Sequence, residues 1–150
     1  MPFLYSLAVS VAKAITPAVA TSAKAKAFVL GRKALWTQLE NIPPNKKVVW
    51  MHCASLGEYE QGLPVFKKLK EKYNDHKIIL TFLSPSGYEV KKASSIADLV
   101  IYLPIDSNRN AKNFITTIKP KLVVFVKNEI WPNYIKYIKK FTDISLINSD

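Results

Sequence analysis

Cysteine is nearly absent from this chain. Cys53 is the only one in 150 residues, so no internal disulfide and no cysteine-rich metal site can form. It lies in an apolar run and reads as a small buried residue. His52 adjoins it, but neighbouring residues of a strand face opposite ways, which leaves Cys53 without the base a nucleophilic thiol needs. Acidic residues are missing from the start of the chain: none precedes Glu40, while Lys13, Lys24, Lys26, Arg32 and Lys33 all fall there. Also missing is an unbroken apolar run of the about 20 residues that a membrane span needs, because Lys13 interrupts the stretch from Phe3 to Ala20. No G-x-G-x-x-G follows the first strand-like run, which removes the standard dinucleotide fingerprint. No G-x-x-x-x-G-K-[ST] occurs, which argues against a P-loop nucleotide hydrolase. Long repeats and low-complexity tracts are absent too.

What is present suits one globular domain with a real core: 49% hydrophobic and 22% charged residues. The net charge of +11 attracts anions, whether nucleic acid, acidic lipid headgroups or phosphorylated substrates, although many small bacterial domains are simply basic. In the first residues, helical spacing puts Leu4, Leu7, Ala8, Val11, Ala12 and Ile15 on one face. That pattern suits a helix lying in the headgroup region or a short tilted anchor whose Lys13 snorkels; a buried helix and a single-pass anchor are the alternatives. The charge follows the apolar stretch rather than preceding it, against a cleaved signal peptide and in favour of a cytoplasmic location for the rest. Residues 1–33 are therefore expected as a membrane-associated helix with a basic flank, Lys13, Lys24, Lys26, Arg32 and Lys33 being its membrane contacts. Residues 34–46 are expected as a linker ending at Pro43-Pro44-Asn45, and 47–150 as the folded domain.

From there strand and helix alternate. Apolar, β-branched runs at Lys47–Ala54, Lys77–Leu83, Asp98–Leu103, Lys121–Lys127 and Ile144–Asn148 predict five strands. Helical spacing predicts helices over Glu60–Tyr73, Gly87–Ile96, Asn108–Ile118 and Pro132–Phe141, with Pro64 near the start of the first. Strands that are apolar throughout are buried on both faces, so the fold class is α/β: a Rossmann-like parallel sheet flanked by helices with right-handed crossovers. Such sheets bind ligands at the carboxyl ends of their strands.

The loops at that edge hold the candidate chemistry. In Ser55-Leu56-Gly57-Glu58, Gly57 permits a tight turn with close backbone approach. Two readings fit Glu58: a helix cap, since Ser55 and Glu58 have capping-box spacing, or a general base taking a proton from an attacking hydroxyl. Ser84-Pro85-Ser86-Gly87 offers hydroxyls and amides at a helix start, an anion site or an ordinary cap. Pro104-Ile105-Asp106 reads as a structural turn with Asp106 as a cap. The loop 127–133 gathers Glu129, Trp131 and a helix-starting Pro132.

The ordered set Ser55-Leu56-Gly57-Glu58, Ser84-Pro85-Ser86-Gly87, Tyr102-Leu103-Pro104-Ile105-Asp106, Pro120-Lys121-Leu122 and Asn128-Glu129-Ile130-Trp131-Pro132-Asn133, preceded by Gly31-Arg32-Lys33, resembles the bacterial 3-deoxy-D-manno-octulosonic acid (Kdo) transferases. Each motif alone is weak; taken together, in order on one sheet, they are specific. The resemblance implies the N-terminal, acceptor-side lobe of a two-domain glycosyltransferase-B fold, with the active site in the cleft between lobes. It implies an inverting transfer of Kdo from CMP-Kdo to a lipid A precursor in lipopolysaccharide biosynthesis, at the cytoplasmic face of the inner membrane, with no metal and no cofactor. The lobe that binds CMP-Kdo lies outside these residues, so the chain alone is expected to be inactive. The family's catalytic base falls on Glu58, and Ser55, Gly57, Ser86, Gly87 and Glu129 are implied substrate-binding positions. The sequence departs from the family at Lys127-Asn128-Glu129, where one acidic residue stands in place of two. Nucleic acid is not expected as a partner. The alternatives are a two-lobed transferase using another nucleotide sugar, or a basic binding module without catalysis, for which Lys67, Lys68, Lys70, Lys72, Lys139 and Lys140 leave room.

Overall fold

A computed structural model describes residues 23–127, 131–142 and 144–147. The elements run α1 (Ala23–Glu40), β1 (Val48–Cys53), α2 (Leu56–Lys72), β2 (Lys77–Phe82), α3 (Pro85–Lys91), β3 (Leu99–Tyr102), α4 (Asn108–Ile118), β4 (Leu122–Val126), α5 (Pro132–Ile138) and β5 (Ile144–Ile147). All five strands are parallel, in the order β3-β2-β1-β4-β5. The chain thus starts in the middle of the sheet, winds outward to β3, then crosses back to β4, which makes the sheet Rossmann-like. The ends of β1 and β4 flank the point where the winding reverses, the place such sheets reserve for ligands.

Period-two alternation divides the core in two. Val48 and Trp50 of β1, with Ile79, Ile101, Val123 and Phe125, pack against Leu35 and Leu39 of α1, Phe114 and Ile115 of α4 and Tyr134 and Ile138 of α5. Val49, Met51 and Cys53, with Ile78, Leu80, Val124 and Val126, pack on the other face against Tyr59 and Phe66 of α2. Trp50 centres the first cluster, its ring 5.0 Å from that of Phe114 and 5.3 Å from that of Phe125. Its indole Nε1 donates to Thr81 Oγ1 at 2.9 Å, so the largest core side chain carries no unmet polar group.

Several element boundaries differ from the sequence expectation, among them the end of α5, which stops at Ile138 rather than Phe141. α2 starts at Leu56, four residues before Glu60, because Ser55 caps it; Pro64 consequently sits well inside the helix. α3 stops at Lys91 rather than continuing to Ile96. The largest difference concerns the linker. α1 runs without a break through residues 33 and 34, and Leu35 and Leu39 are fully buried against the sheet, so 34–40 is part of the core. Only 41–46 forms the turns expected of a connection, closed by Lys46 N–H to Pro43 O at 3.1 Å. The leucines recur at helical spacing, and the sheet face beneath them would otherwise be bare. Among the described residues, no helix is long and apolar enough to cross a membrane. Lys13 and the apolar stretch around it lie outside the described residues.

Candidate functional site

The carboxyl edge of the sheet is built by loops that hold one another. Ser84 N–H donates to Ala54 O at 2.9 Å, and Leu103 N–H donates to Phe82 O at 2.8 Å, so the exits of β1, β2 and β3 stand side by side. At the β1 exit, Ser55 caps α2, its Oγ accepting from Glu58 N–H at 3.5 Å. The Glu58 carboxylate turns back, and its Oε2 accepts a short hydrogen bond from Ala54 N–H. In a standard capping box the returning carboxylate meets the amide of the cap residue itself. Here it reaches one residue further, which draws the half-buried carboxylate over the end of β1. Oε1 has no hydrogen-bond partner among the described residues. One oxygen therefore caps the turn while the other is left outside that bond, so the cap does not by itself exclude the base.

Gly57 behaves differently from the expectation. It is exposed, no glycine has a positive φ, and a Cβ there would meet nothing nearer than Ser55 Oγ at 4.0 Å. Among the described residues nothing requires a glycine at 57, and the space beside it is open. Gly87 is the converse: it is buried, and a Cβ would lie 2.2 Å from Cδ1 of Phe82. This glycine lets α3 approach β2. Ser86 is exposed at the start of α3 and its hydroxyl pairs with that of Ser84 at 2.9 Å.

Asp106 has a task the sequence did not show. Ser107, not Asp106, caps α4, accepting from Asn110 N–H at 3.3 Å. The Asp106 carboxylate, 1% exposed, instead accepts from Asn133 N–H at 3.3 Å and Tyr134 N–H at 3.1 Å, capping α5 from across the sheet. Asn133 Nδ2 returns a bond to Asp106 O at 2.8 Å, and Tyr134 OH donates to Pro104 O at 2.7 Å. Burial, with the Asp106 charge behind it, pushes the Tyr134 phenol well above its usual range. The signal available in the sequence was negative: Trp131, the residue preceding Pro132, has no side-chain oxygen with which to cap α5. Glu129, implied as a site residue, lies outside the described residues. Lys127, just before it, adopts a left-handed backbone with φ 61°.

Arg32, expected as a membrane contact, is a correction. Its Nε donates to Leu103 O at 3.1 Å and its Nη2 to Leu83 O at 3.5 Å, and its guanidinium lies 5.8 Å from the centre of the Tyr102 ring. Burial brings its pKa down to about 10, partly offset by Tyr134 and Tyr102. Beside it, a Cβ on Gly31 would fall 2.4 Å from Tyr102. Gly31 and Arg32 thus dock α1 onto the exits of β2 and β3, because two strand-end carbonyls turned away from the ladder need a donor. Lys26 and Lys33 are exposed, as a surface contact requires; nothing is described of the Lys24 side chain.

His52 is wholly buried and its pKa is driven down to about 3 by that burial, against the opposing effect of its bond to Thr81. Its ring lies near Phe125 and Trp131, on the face opposite Cys53, so the two form no nucleophile–base pair. Among the described residues no three His, Cys, Asp or Glu side chains converge as a metal would need. A cavity of about 140 Å³ opens at the other, amino end of β2 and β3, lined by Gln38, Asn41, Ile42, Asp98 and Leu99 among others. It contains none of the carboxyl-edge residues, and the chemistry argued from the loops does not involve it.

Fold and site together define a doubly wound α/β lobe with a carboxylate held at the exit of its central strand. Residues 25–149 match the family model described as 3-deoxy-D-manno-octulosonic-acid transferase, and the chain belongs to that family. It is 37% identical over 101 residues to a 3-deoxy-D-manno-octulosonic acid transferase of Aquifex aeolicus, covering 67% of this chain and 28% of the relative. A protein of the same name from Haemophilus influenzae is 34% identical over 94 residues, covering 61% and 22%. A bifunctional glycosyltransferase/methyltransferase of Fusobacterium nucleatum is 32% identical over 108 residues, covering 69% and 17%. The matched part of the chain thus spans between 17% and 28% of the length of these curated relatives.

Proposed function

We propose that this chain is the acceptor-side half of an inverting glycosyltransferase that moves Kdo from CMP-Kdo to a lipid A precursor in lipopolysaccharide biosynthesis. The observation that carries the reading is the Glu58 carboxylate, fastened at the exit of β1 by the Ala54 amide through one oxygen and presenting the other, in a chain of the Kdo transferase family. An acceptor hydroxyl beside Oε1 gives up its proton to the carboxylate as it attacks the anomeric carbon, and CMP leaves from the opposite face of the sugar. Ser86 and the open side of Gly57 border the place where that hydroxyl arrives, with Ser55 holding the turn. The second lobe supplies the CMP-Kdo site, and the reading asks for no metal or cofactor. Lys26 and Lys33, with Lys13 and Lys24, keep the protein at the anionic cytoplasmic face of the inner membrane.

The test is Glu58→Gln in the protein carrying both lobes, assayed with CMP-Kdo and a lipid A precursor. Glutamine keeps an oxygen for the Ala54 amide and loses the basic one, so transfer should fall by about 10²–10⁴-fold with the fold intact. Transfer within a few-fold of the unaltered protein removes Glu58 as the base.

A further inference from the structure

Two buried polar atoms beneath the carboxyl edge are left without a partner among the described residues: His52 Nε2 and Trp131 Nε1. Their rings are neighbours, with centroids 6.1 Å apart at 82°. Native proteins rarely leave such atoms unmet, because each costs on the order of 1–3 kcal/mol. Which of the two donates follows from Thr81. Its Oγ1 takes the indole proton of Trp50 at 2.9 Å, lies 2.8 Å from His52 Nδ1 and reaches Met51 O at 3.5 Å. A hydroxyl has one proton and two lone pairs. All three contacts are satisfied together when Thr81 accepts from Trp50 and from His52 Nδ1–H and donates to Met51 O. His52, kept neutral by burial, then has its proton on Nδ1 and a bare lone pair on Nε2. Trp131 has only an N–H to offer. The pair is one acceptor and one donor, carried on adjoining rings near the exits of β1 and β4.

We propose that His52 Nε2 and Trp131 Nε1 together bind a single hydroxyl group, which accepts from the indole N–H and donates to the imidazole. An ionised carboxylate oxygen has no proton for Nε2, and a metal cation has no lone pair for the indole; an O–H group meets both. The site lies two residues before Ala54, whose amide holds Glu58. The hydroxyl belongs either to a sugar bound at the edge or to a resident water. The site itself stands without the transferase reading, and only its assignment to a sugar rests on that reading.

The test is nitrogen-15 NMR of the protein at neutral pH. Trp131→Phe assigns the Trp131 indole among the three tryptophans, and through-bond correlations in the unaltered protein do so if that variant fails to fold. The His52 ring is expected as the Nδ1–H tautomer with Nε2 unprotonated, and the Trp131 indole proton should show a cross-peak to a bound water. A glucosamine disaccharide is then added. Loss of the water cross-peak with a shift of the indole proton assigns the hydroxyl to sugar; its persistence assigns it to water. An Nε2–H tautomer, or an indole proton with neither a water nor a sugar cross-peak, overturns the proposal, whatever Glu58→Gln does to transfer.

Discussion

The two ends of the sheet handle their polar groups in opposite ways. At the amino end, Lys77 pairs with Asp98 at 3.1 Å and Lys47 with Asp75 at 3.7 Å, all four side chains well exposed, and Asp98 also accepts from Ile78 N–H at 2.8 Å. At the carboxyl end, Asp106 is buried beneath α5 and Arg32 is folded onto two carbonyls, while His52 Nε2, Trp131 Nε1 and one oxygen of Glu58 have no partner among the described residues. Water can meet the demands of the amino end. The carboxyl end instead relies on bonds between residues far apart in the chain, and it keeps polar atoms that no described residue meets.

Substitutions at each end should separate the two. The largest effect is expected for Asp106→Ala, which strips two buried amides of α5 of their acceptor and should lower the unfolding free energy by about 3 kcal/mol in urea denaturation. Gly87→Ala forces a methyl group into Phe82 and should cost about 2 kcal/mol. Gly57→Ala, one exit away, should change stability by less than about 0.5 kcal/mol while lowering transfer in the two-lobed protein; equal stability losses at 57 and 87 would erase the distinction between a packing glycine and an open one.

Acid sharpens the comparison further. The pKa of His52 is lowered from 6.5 to about 3 on folding, so the unfolded chain takes up a proton that the folded one refuses. Stability is unaffected above pH 6.5 and is lost as pH falls from there toward 3, amounting to about 2 kcal/mol between pH 7 and 5. His52→Gln should flatten that slope in melts at the two pH values. Asp98 fails later: burial pushes its carboxyl up, but the Ile78 amide and Lys77 more than offset it, so its contribution is lost only as pH drops below about 4. Lys77→Ala removes an exposed pair worth less than about 1 kcal/mol, an effect that fades in high salt.

Much of this architecture is legible in the residues. Five continuous apolar runs at regular spacing announce a parallel sheet, and α4 spans Asn108–Ile118 as its periodicity predicts, since both its cap and its apolar face are local. Ser55 and Glu58 were recognisable as cap partners, yet the helix they begin was expected only at Glu60, because Gly57 in the first turn and Pro64 beyond it obscure the helical pattern. Arg32 was misplaced for a different reason. A basic residue in a run without acids looks like a surface charge, and nothing nearby in sequence reveals that the acceptors it needs are 51 and 71 residues away.

By itself, then, the sequence determined the alternation of strand and helix, the parallel sheet, the edge at which chemistry is sought and the family to which the chain belongs, because each of these depends on periodicity or on motifs within a few residues. Only the tertiary structure decided that Leu35 and Leu39 are core, that Asp106 caps a helix across the sheet, that Gly87 serves packing while Gly57 faces open space, and that the rings of His52 and Trp131 meet. Those are pairings between residues far apart along the chain, and a pairing has no local signature until the backbone brings its partners together.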